Sequence, residues 1–330
     1  MHYSLCNVTF ILNIQNRHKM DRRKFSRVTL TAATAITAFP GVTKSFDLKN
    51  TNIKLGGPVF KKYNNPDEWI SALNELNYKA AYCPVQPGAG SEEIKLYKNA
   101  AQKANIVIAE VGAWSNPIDP DDLKSKAAIE KCINALQLAD EIGANCCVNI
   151  SGSRNPEKWA GPHPENLTPE TFDLIVETTR KIIDAVNPKN TFYALETMPW
   201  AYPDSVESYE KLLKAINRER FGVHLDPVNL IVSPQVYYKN GEMITEAFKK
   251  LGPFIKSCHA KDILLLEDEL TPHLPEVRAG LGNLDYAVYL KELSGLKNIP
   301  LMLEHLNTEA EYSQAAIYIR SVAEKNNIFL

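Results

Sequence analysis

From residue 52 onward the chain repeats one alternation: a short apolar run rich in Val, Ile and Leu, then a longer stretch whose apolar residues fall at helical spacing. Strand-length runs in strict turn with helix-length stretches admit few architectures, because each helix must return to cover a parallel sheet. The strand-like runs occupy 53–57, 78–83, 105–111, 145–150, 191–196, 221–225, 255–260 and 300–305. The helical stretches include 66–76, 92–104, 127–142, 169–186, 205–216, 286–293 and 313–325. Within 127–142, Ala127, Ile129, Cys132, Ile133, Leu136, Leu138 and Ala139 form a broad apolar stripe. Several helices open on good start signals: Asn65-Pro66, Thr168-Pro169-Glu170 and Asp204-Ser205.

Eight strands, each followed by a helix, predict a closed parallel (β/α)8 TIM barrel of the α/β class. The competing architecture is an open doubly wound sheet. No G-x-G-x-x-G follows the first strand, which weakens its dinucleotide-binding version. A length of 330 residues suits one barrel, placed here as a single catalytic domain at 47–330 behind an N-terminal extension at 1–46. Two connections are long. The loop at 151–168 holds Gly, Pro, Trp159 and His163, and the segment 261–286 is poor in periodicity. Long loops after strands belong to the C-terminal face of a barrel, where chemistry sits.

Hydrophobic residues make up 45% of the chain and charged residues 23%, an ordinary globular balance. A net charge of −2, with no basic block beyond the run at 22–27, argues against a nucleic-acid partner. The six cysteines, at 6, 83, 132, 146, 147 and 258, form no C-x-x-C pair and read as reduced core thiols.

The N-terminus has the layout of an export signal. Asp21-Arg22-Arg23-Lys24-Phe25-Ser26-Arg27 is basic and contains a twin arginine, and a mildly apolar stretch follows from Val28 to Phe39. This resembles the twin-arginine (Tat) type and predicts a periplasmic protein. The apolar run is shorter than the roughly 20 residues of a membrane span, so no stable span is expected once the signal is removed. Met20 lies directly before the run and is an alternative start.

Glu196, Asp226, His259 and Glu304 stand at the ends of the last four strand-like runs. Buried carboxylates are costly unless paired or bound to a cation. Three of them converging with one imidazole would repel each other, and a divalent ion resolves that repulsion. The O/N donor set suits one divalent metal, Mn²⁺ first, with Mg²⁺, Zn²⁺ or Co²⁺ as alternatives. No thiolate is in the set, which argues against a purely structural zinc.

Here the chain resembles the sugar isomerase/epimerase group with the xylose-isomerase-like barrel. The segments that carry the resemblance are Ala194-Leu195-Glu196-Thr197-Met198-Pro199-Trp200, His224-Leu225-Asp226-Pro227-Val228-Asn229, Cys258-His259-Ala260-Lys261-Asp262, Gly280-Leu281-Gly282-Asn283-Leu284-Asp285-Tyr286 and Leu303-Glu304-His305. The resemblance implies that Glu196, Asp226, His259 and Glu304 hold one metal, and that Glu196 and Glu304 flank a sugar and move protons. One position departs from the pattern. Ketose 3-epimerases of this group usually carry His three residues after the metal Asp, and this chain has Asn229. Asn can hydrogen-bond a hydroxyl but cannot titrate. That leaves room for the family's other chemistries, inosose dehydration or elimination on 3-keto-glycosides.

The expected first step is removal of a proton beside a metal-polarised carbonyl, with Glu196 and Glu304 as base and acid. Reprotonation gives an isomer or epimer; loss of a β-leaving group gives a lyase. Further substrate contacts are expected from His224, Asn229, Lys261, Arg278, Trp114, Trp159 and Trp200, with Glu276 beside Arg278 in the same loop. For His224 the alternative is a polar filler inside the barrel, and for the tryptophans it is rim packing. Arg154 could meet a phosphate, but no phosphate loop accompanies it and export favours an unphosphorylated carbohydrate. A DNA-repair endonuclease shares this barrel but needs three metals, many histidines and a basic face. A non-catalytic sugar-binding protein would not need two carboxylates flanking a metal. The sequence leaves homo-oligomerisation open.

Overall fold

The computed structural model describes residues 53–330 apart from 269. The expected signal segment lies outside these residues. No helix among the described residues is long and apolar enough to cross a membrane.

In chain order the strands are β1 (Ile53–Gly57), β2 (Ala80–Tyr82), β3 (Val107–Gly112), β4 (Cys146–Asn149), β5 (Phe192–Glu196), β6 (Phe221–Leu225), β7 (Ile255–Ala260), β8 (Asp262–Ile263), β9 (Glu276–Val277) and β10 (Ile299–Leu303). The helices are α1 (Pro66–Glu75), α2 (Ser91–Ala104), α3 (Asp122–Ile142), α4 (Pro169–Val186), α5 (Val206–Ile216), α6 (Pro234–Tyr238), α7 (Asn240–Leu251), α8 (Tyr286–Ser294) and α9 (Glu309–Lys325). Eight strands close in parallel in the order β1-β10-β7-β6-β5-β4-β3-β2, while β8 and β9 pair separately as an antiparallel hairpin.

Local chemistry sets the helix ends. The side chains of Asn65 and Thr168 accept from the backbone N–H groups of Glu68 and Thr171 and cap α1 and α4, each with Pro in its first turn. Ser205 and Ser208 form a reciprocal capping box on α5. Asn105, Asn187 and Asn217 end α2, α4 and α5 in the left-handed region, which Asn tolerates better than most residues. Two starts lie earlier than the sequence reading placed them. Asp121 caps α3, and Thr308 with Glu311 boxes the start of α9.

The barrel interior holds small, tightly fitted groups. Ala80, Ala109 and Met302 pack together, and Cys146, Val148 and Ala194 form a second patch against Phe192. Outside the barrel, one continuous apolar cluster seats the helices. Gly56 is required by the closure: a Cβ there would lie 2.3 Å from the Ala80 carbonyl oxygen. The five described cysteines are free thiols.

Two features add to the reading of the sequence. Between β6 and β7, where a helix was expected but given no bounds, the chain forms α6 and α7. The buried Ile244, Ala247, Phe248 and Leu251 of α7 do keep helical spacing. The neighbouring Pro234, Gly241 and uncapped start of α7 obscure it. The long segment after β7 contains the β8–β9 hairpin, which brings Leu274 and Glu276 over the barrel mouth.

Candidate metal centre

Four parallel strands deliver the expected donors to one point. Glu196 is the last residue of β5, Asp226 and Glu304 directly follow β6 and β10, and His259 lies near the end of β7. One donor atom from each lies within 4.8 Å of those of the others. Surrounding groups fix their directions. Asp226 Oδ1 accepts from the Val228 N–H at 3.0 Å, and the Asp226 N–H donates to Thr197 Oγ1 at 3.2 Å, so Oδ2 faces the centre. The Tyr289 and Tyr286 hydroxyls on α8 donate to the carbonyls of His259 and Lys261 at 2.9 and 2.6 Å, anchoring the end of β7.

Charge is concentrated there. His259 Nδ1 lies 2.9 Å from both Glu196 Oε1 and Glu304 Oε1. Lys261 Nζ lies 2.7 Å from Asp226 Oδ2, 3.1 Å from Glu304 Oε1 and 2.9 Å from Glu276 Oε1. Burial alone would lower the basicity of both His259 and Lys261. The surrounding carboxylates outweigh it, led by Glu304 for His259 and Asp226 for Lys261, and raise both well above their ordinary values. Burial opposes ionisation of Glu304, but His259 and Lys261 hold its carboxyl well below the usual range. Asp226 goes the other way. Burial lifts it to about 6; Lys261 opposes the rise, and the charges of Glu304 and Glu196 add to it. Asp226 is the most deeply buried of the three carboxylates, and it is the one whose negative charge is least favoured.

These residues fit a divalent cation. Asp226 Oδ2 and Glu304 Oε1 are buried without a hydrogen bond, although the Lys261 ammonium is close to both. An ion held by Glu196, Asp226, His259 and Glu304 would satisfy both oxygens with the oxygen and imidazole donors that hard and borderline divalent ions take.

Below the centre lies a carboxylate that the sequence reading missed. Glu110 on β3 is 2% exposed. Its Oε2 accepts from Ser257 Oγ at 2.8 Å and meets His224 Nε2 at 2.9 Å, while Oε1 meets His259 Nε2 at 3.2 Å. Burial opposes its ionisation, but the two imidazoles hold its carboxyl far below the usual range. Glu110, His224 and His259 are close enough to form a second donor set. Their polar atoms are instead directed at one another, with Glu110 as common acceptor. His224 Nδ1 is buried and unpartnered, so Nε2 is the nitrogen that donates.

A cavity of about 960 Å³ opens above the centre, lined by Glu110, Glu196, Asn229, His259, Lys261 and Glu304 among others. Trp114, Trp159 and Trp200 also stand on its wall. Asn229 is there too, with Oδ1 accepting from Lys261 and Nδ2 donating to the Thr197 carbonyl. Three other candidates are not on the wall. His224 is fully buried beneath it, where its pairing with Glu110 makes it part of the polar layer. Arg278 turns back to the Ala279 carbonyl, and Arg154 donates to the Ile118 carbonyl at 2.6 Å. The Gly280–Asp285 motif serves the backbone: Asp262 accepts from the N–H groups of Gly280 and Leu284 at 2.9 Å each.

The xylose isomerase-like TIM barrel family model matches residues 65–322. The chain belongs to that family. Solved structures similar to this xylose isomerase-like barrel include endonuclease IV from Thermus thermophilus, with 12% identity, a TM-score of 0.63, and 82% of this chain and 99% of that one covered. The probable 3-DHS dehydratase of petrobactin synthesis from Bacillus anthracis is 16% identical, with a TM-score of 0.60 and 82% and 98% covered. The 3-keto-D-glucoside 4-epimerase from E. coli is 10% identical, with a TM-score of 0.58 and 82% and 99% covered. At these identities the likeness shows the fold alone. No curated protein matched the sequence.

Proposed function

We propose that this family member is a divalent-metal-dependent isomerase or epimerase acting on a small, unphosphorylated carbohydrate or keto-sugar. The observation that carries the reading is the pair Glu196 and Glu304, each 2.9 Å from the same imidazole nitrogen, at the floor of a cavity. A divalent cation bound by Glu196, Asp226, His259 and Glu304 would supply positive charge where negative charge develops on a substrate oxygen. The chain's own groups account for the rest. Glu196 and Glu304 are placed to remove and return a proton at carbons beside a carbonyl. Glu304 turns Oε1 to the centre and has Oε2 3.6 Å from His305 Nε2, so one oxygen remains for proton transfer. Lys261 can donate to a substrate oxygen at the same floor. Glu110 positions His259 by taking its Nε2–H, which directs Nδ1 at the carboxylates.

Two similar structures are named for an epimerase and a dehydratase, consistent with one proton-abstraction step serving two outcomes. A lyase is the second reading. Asn229 has both amide atoms engaged and cannot titrate, which removes the proton-handling His of the 3-epimerase pattern. The basic, twin-arginine segment near the N-terminus supports export to the periplasm as part of this proposal.

The test is incubation with Mn²⁺ in D₂O of a panel of free ketoses, inososes and 3-keto-glycosides. Deuterium entering beside a carbonyl without loss of mass identifies isomerisation or epimerisation. Release of water or an aglycone identifies the lyase. Neither outcome across the panel would sink the proposal.

A further inference from the structure

The ammonium of Lys261 has four oxygens around it and treats them unequally. Its hydrogen bonds go to Glu276 Oε1 at 2.9 Å and to Asn229 Oδ1 at 3.1 Å. Asp226 Oδ2 and Glu304 Oε1 are as close, at 2.7 and 3.1 Å, but neither is hydrogen-bonded. The first two acceptors are fixed from outside the centre. Asn229 Nδ2 donates to the Thr197 carbonyl at 2.9 Å, which turns Oδ1 toward the ammonium. Glu276 reaches in from β9, and its Oε2 lies 2.8 Å from His305 Nδ1. The other two oxygens belong to the donor set that fits a divalent ion.

Lys261 therefore stands between two groups of acceptors. Its side chain is 2% exposed, so water cannot replace either group. An ion on Asp226 and Glu304 and an ammonium beside the same oxygens draw on the same negative charge. Three carboxylates offer that charge, and Lys261 already matches part of it, which reduces what an ion gains by binding. Glu276 acts in the opposite sense. A carboxylate outside the donor set gives the ammonium a partner of its own and leaves Asp226 and Glu304 freer for an ion.

We propose that Lys261 competes with the metal ion for Asp226 and Glu304, and that Glu276 with Asn229 forms the seat that takes its ammonium when the ion binds. This inference rests on the metal reading of the centre. It gives Glu276 a positioning role exerted through Lys261. It also gives the centre a cation of its own, so that the carboxylates do not depend on an ion while the chain folds.

The experiment measures Mn²⁺ affinity, by competition with a fluorescent chelator, for the unaltered protein, Lys261→Met, Glu276→Gln and the double variant. Lys261→Met should bind Mn²⁺ at least about fivefold more tightly, and Glu276→Gln at least about threefold more weakly, in the range of coupling between neighbouring charges. In the Lys261→Met background, Glu276→Gln should change the affinity less than about twofold, because no ammonium is left to seat. Urea titration of chelator-treated protein adds a second readout. Lys261→Met should unfold at lower urea than the unaltered protein, and Mn²⁺ should restore more stability to the variant. A variant that folds only with Mn²⁺ is the extreme of that result. Weaker Mn²⁺ binding by Lys261→Met overturns the inference, as does a Glu276→Gln effect of equal size in both backgrounds. Should Lys261→Met fold in neither state, Glu276→Gln decides alone, since its side chain is 40% exposed; an affinity that is unchanged or tighter overturns the inference. Mn²⁺ binding that no substitution alters removes this inference and leaves the metal reading standing. If the unaltered protein binds no Mn²⁺, the metal reading falls and this inference falls with it.

Discussion

Exchanging Glu110 for Gln changes one atom of a buried side chain and tests the support of the metal centre directly. The carboxylate meets three donors, Ser257 Oγ at 2.8 Å, His224 Nε2 at 2.9 Å and His259 Nε2 at 3.2 Å. An amide keeps the shape but presents N–H groups where one oxygen stood, so at least one of these donors faces another donor. A buried polar group left unpaired costs about 1–3 kcal/mol. The residue is 2% exposed, so water gives little relief. We therefore expect Glu110→Gln to lose about 2–4 kcal/mol of folding stability in urea titrations. The larger consequence concerns His259. Where the amide nitrogen takes the place of Oε1, Nε2 loses its acceptor and the ring is free to carry its proton on Nδ1, the nitrogen aimed at Glu196 and Glu304. Loss of such an outer partner costs roughly 10- to 100-fold in metal affinity. Competition with a fluorescent chelator would read the affinity, and side-chain ¹⁵N shifts would read which nitrogen of His259 holds the proton. Mn²⁺ affinity within about twofold of the unaltered protein, with Nε2 still protonated, would refute the positioning role.

Glu304→Gln should bind carbohydrate but lose about 10²- to 10⁴-fold in deuterium-exchange rate, the usual worth of a positioned proton carrier; an unchanged rate rules out its acid–base role. Asp226 must ionise to ligate a metal, and burial, opposed by Lys261 and reinforced by Glu304 and Glu196, has lifted it to about 6. A raised carboxyl binds its proton more tightly, so protons displace the metal as pH falls through that value. Measured Mn²⁺ affinity should therefore rise with pH throughout, because His259 must also give up a proton, and rise more steeply below about 6, where Asp226 must do so as well, which calorimetry between pH 5 and 7.5 can check. Gly56→Ala would drive a Cβ to 2.3 Å from the Ala80 carbonyl oxygen, and thermal denaturation should show a loss of at least about 2 kcal/mol.

Much of the fold was legible before any coordinates. The alternation of apolar runs and amphipathic stretches placed all eight barrel strands, because a strand covered by helices needs a short continuous apolar segment. The donors Glu196, Asp226, His259 and Glu304 were legible for a related reason. A charged residue that ends an apolar run has to lie at the rim of the barrel, and the same event on four runs implies convergence. What the sequence reading left without sharp bounds were elements with weak punctuation. Helix α7 opens on no side-chain cap, and the caps of α3 and α9 lie a turn before their apolar stripes begin.

Glu110 marks the limit of pattern. It sits inside the strand-like run 105–111, and strict alternation pairs it with Ile108 rather than with the inward residues Val107 and Ala109. The register between β2 and β3 slips there: Ala81 pairs with Ile108 and Tyr82 with Glu110, skipping Ala109. That irregularity turns the carboxylate into the barrel. A lone acid in an apolar run was the available signal, but its partners His224, Ser257 and His259 are more than 110 residues away in sequence. The same holds for Arg278 and Lys261, both cationic and both following β7. One turns back to its neighbour's carbonyl, and the other lies among three carboxylates. The sequence by itself determined the barrel and the four candidate donors at its rim, since periodicity and burial cost are local properties of the chain. Only the tertiary structure decided which charges meet, because contact between strands depends on register and on loop paths that no local pattern encodes.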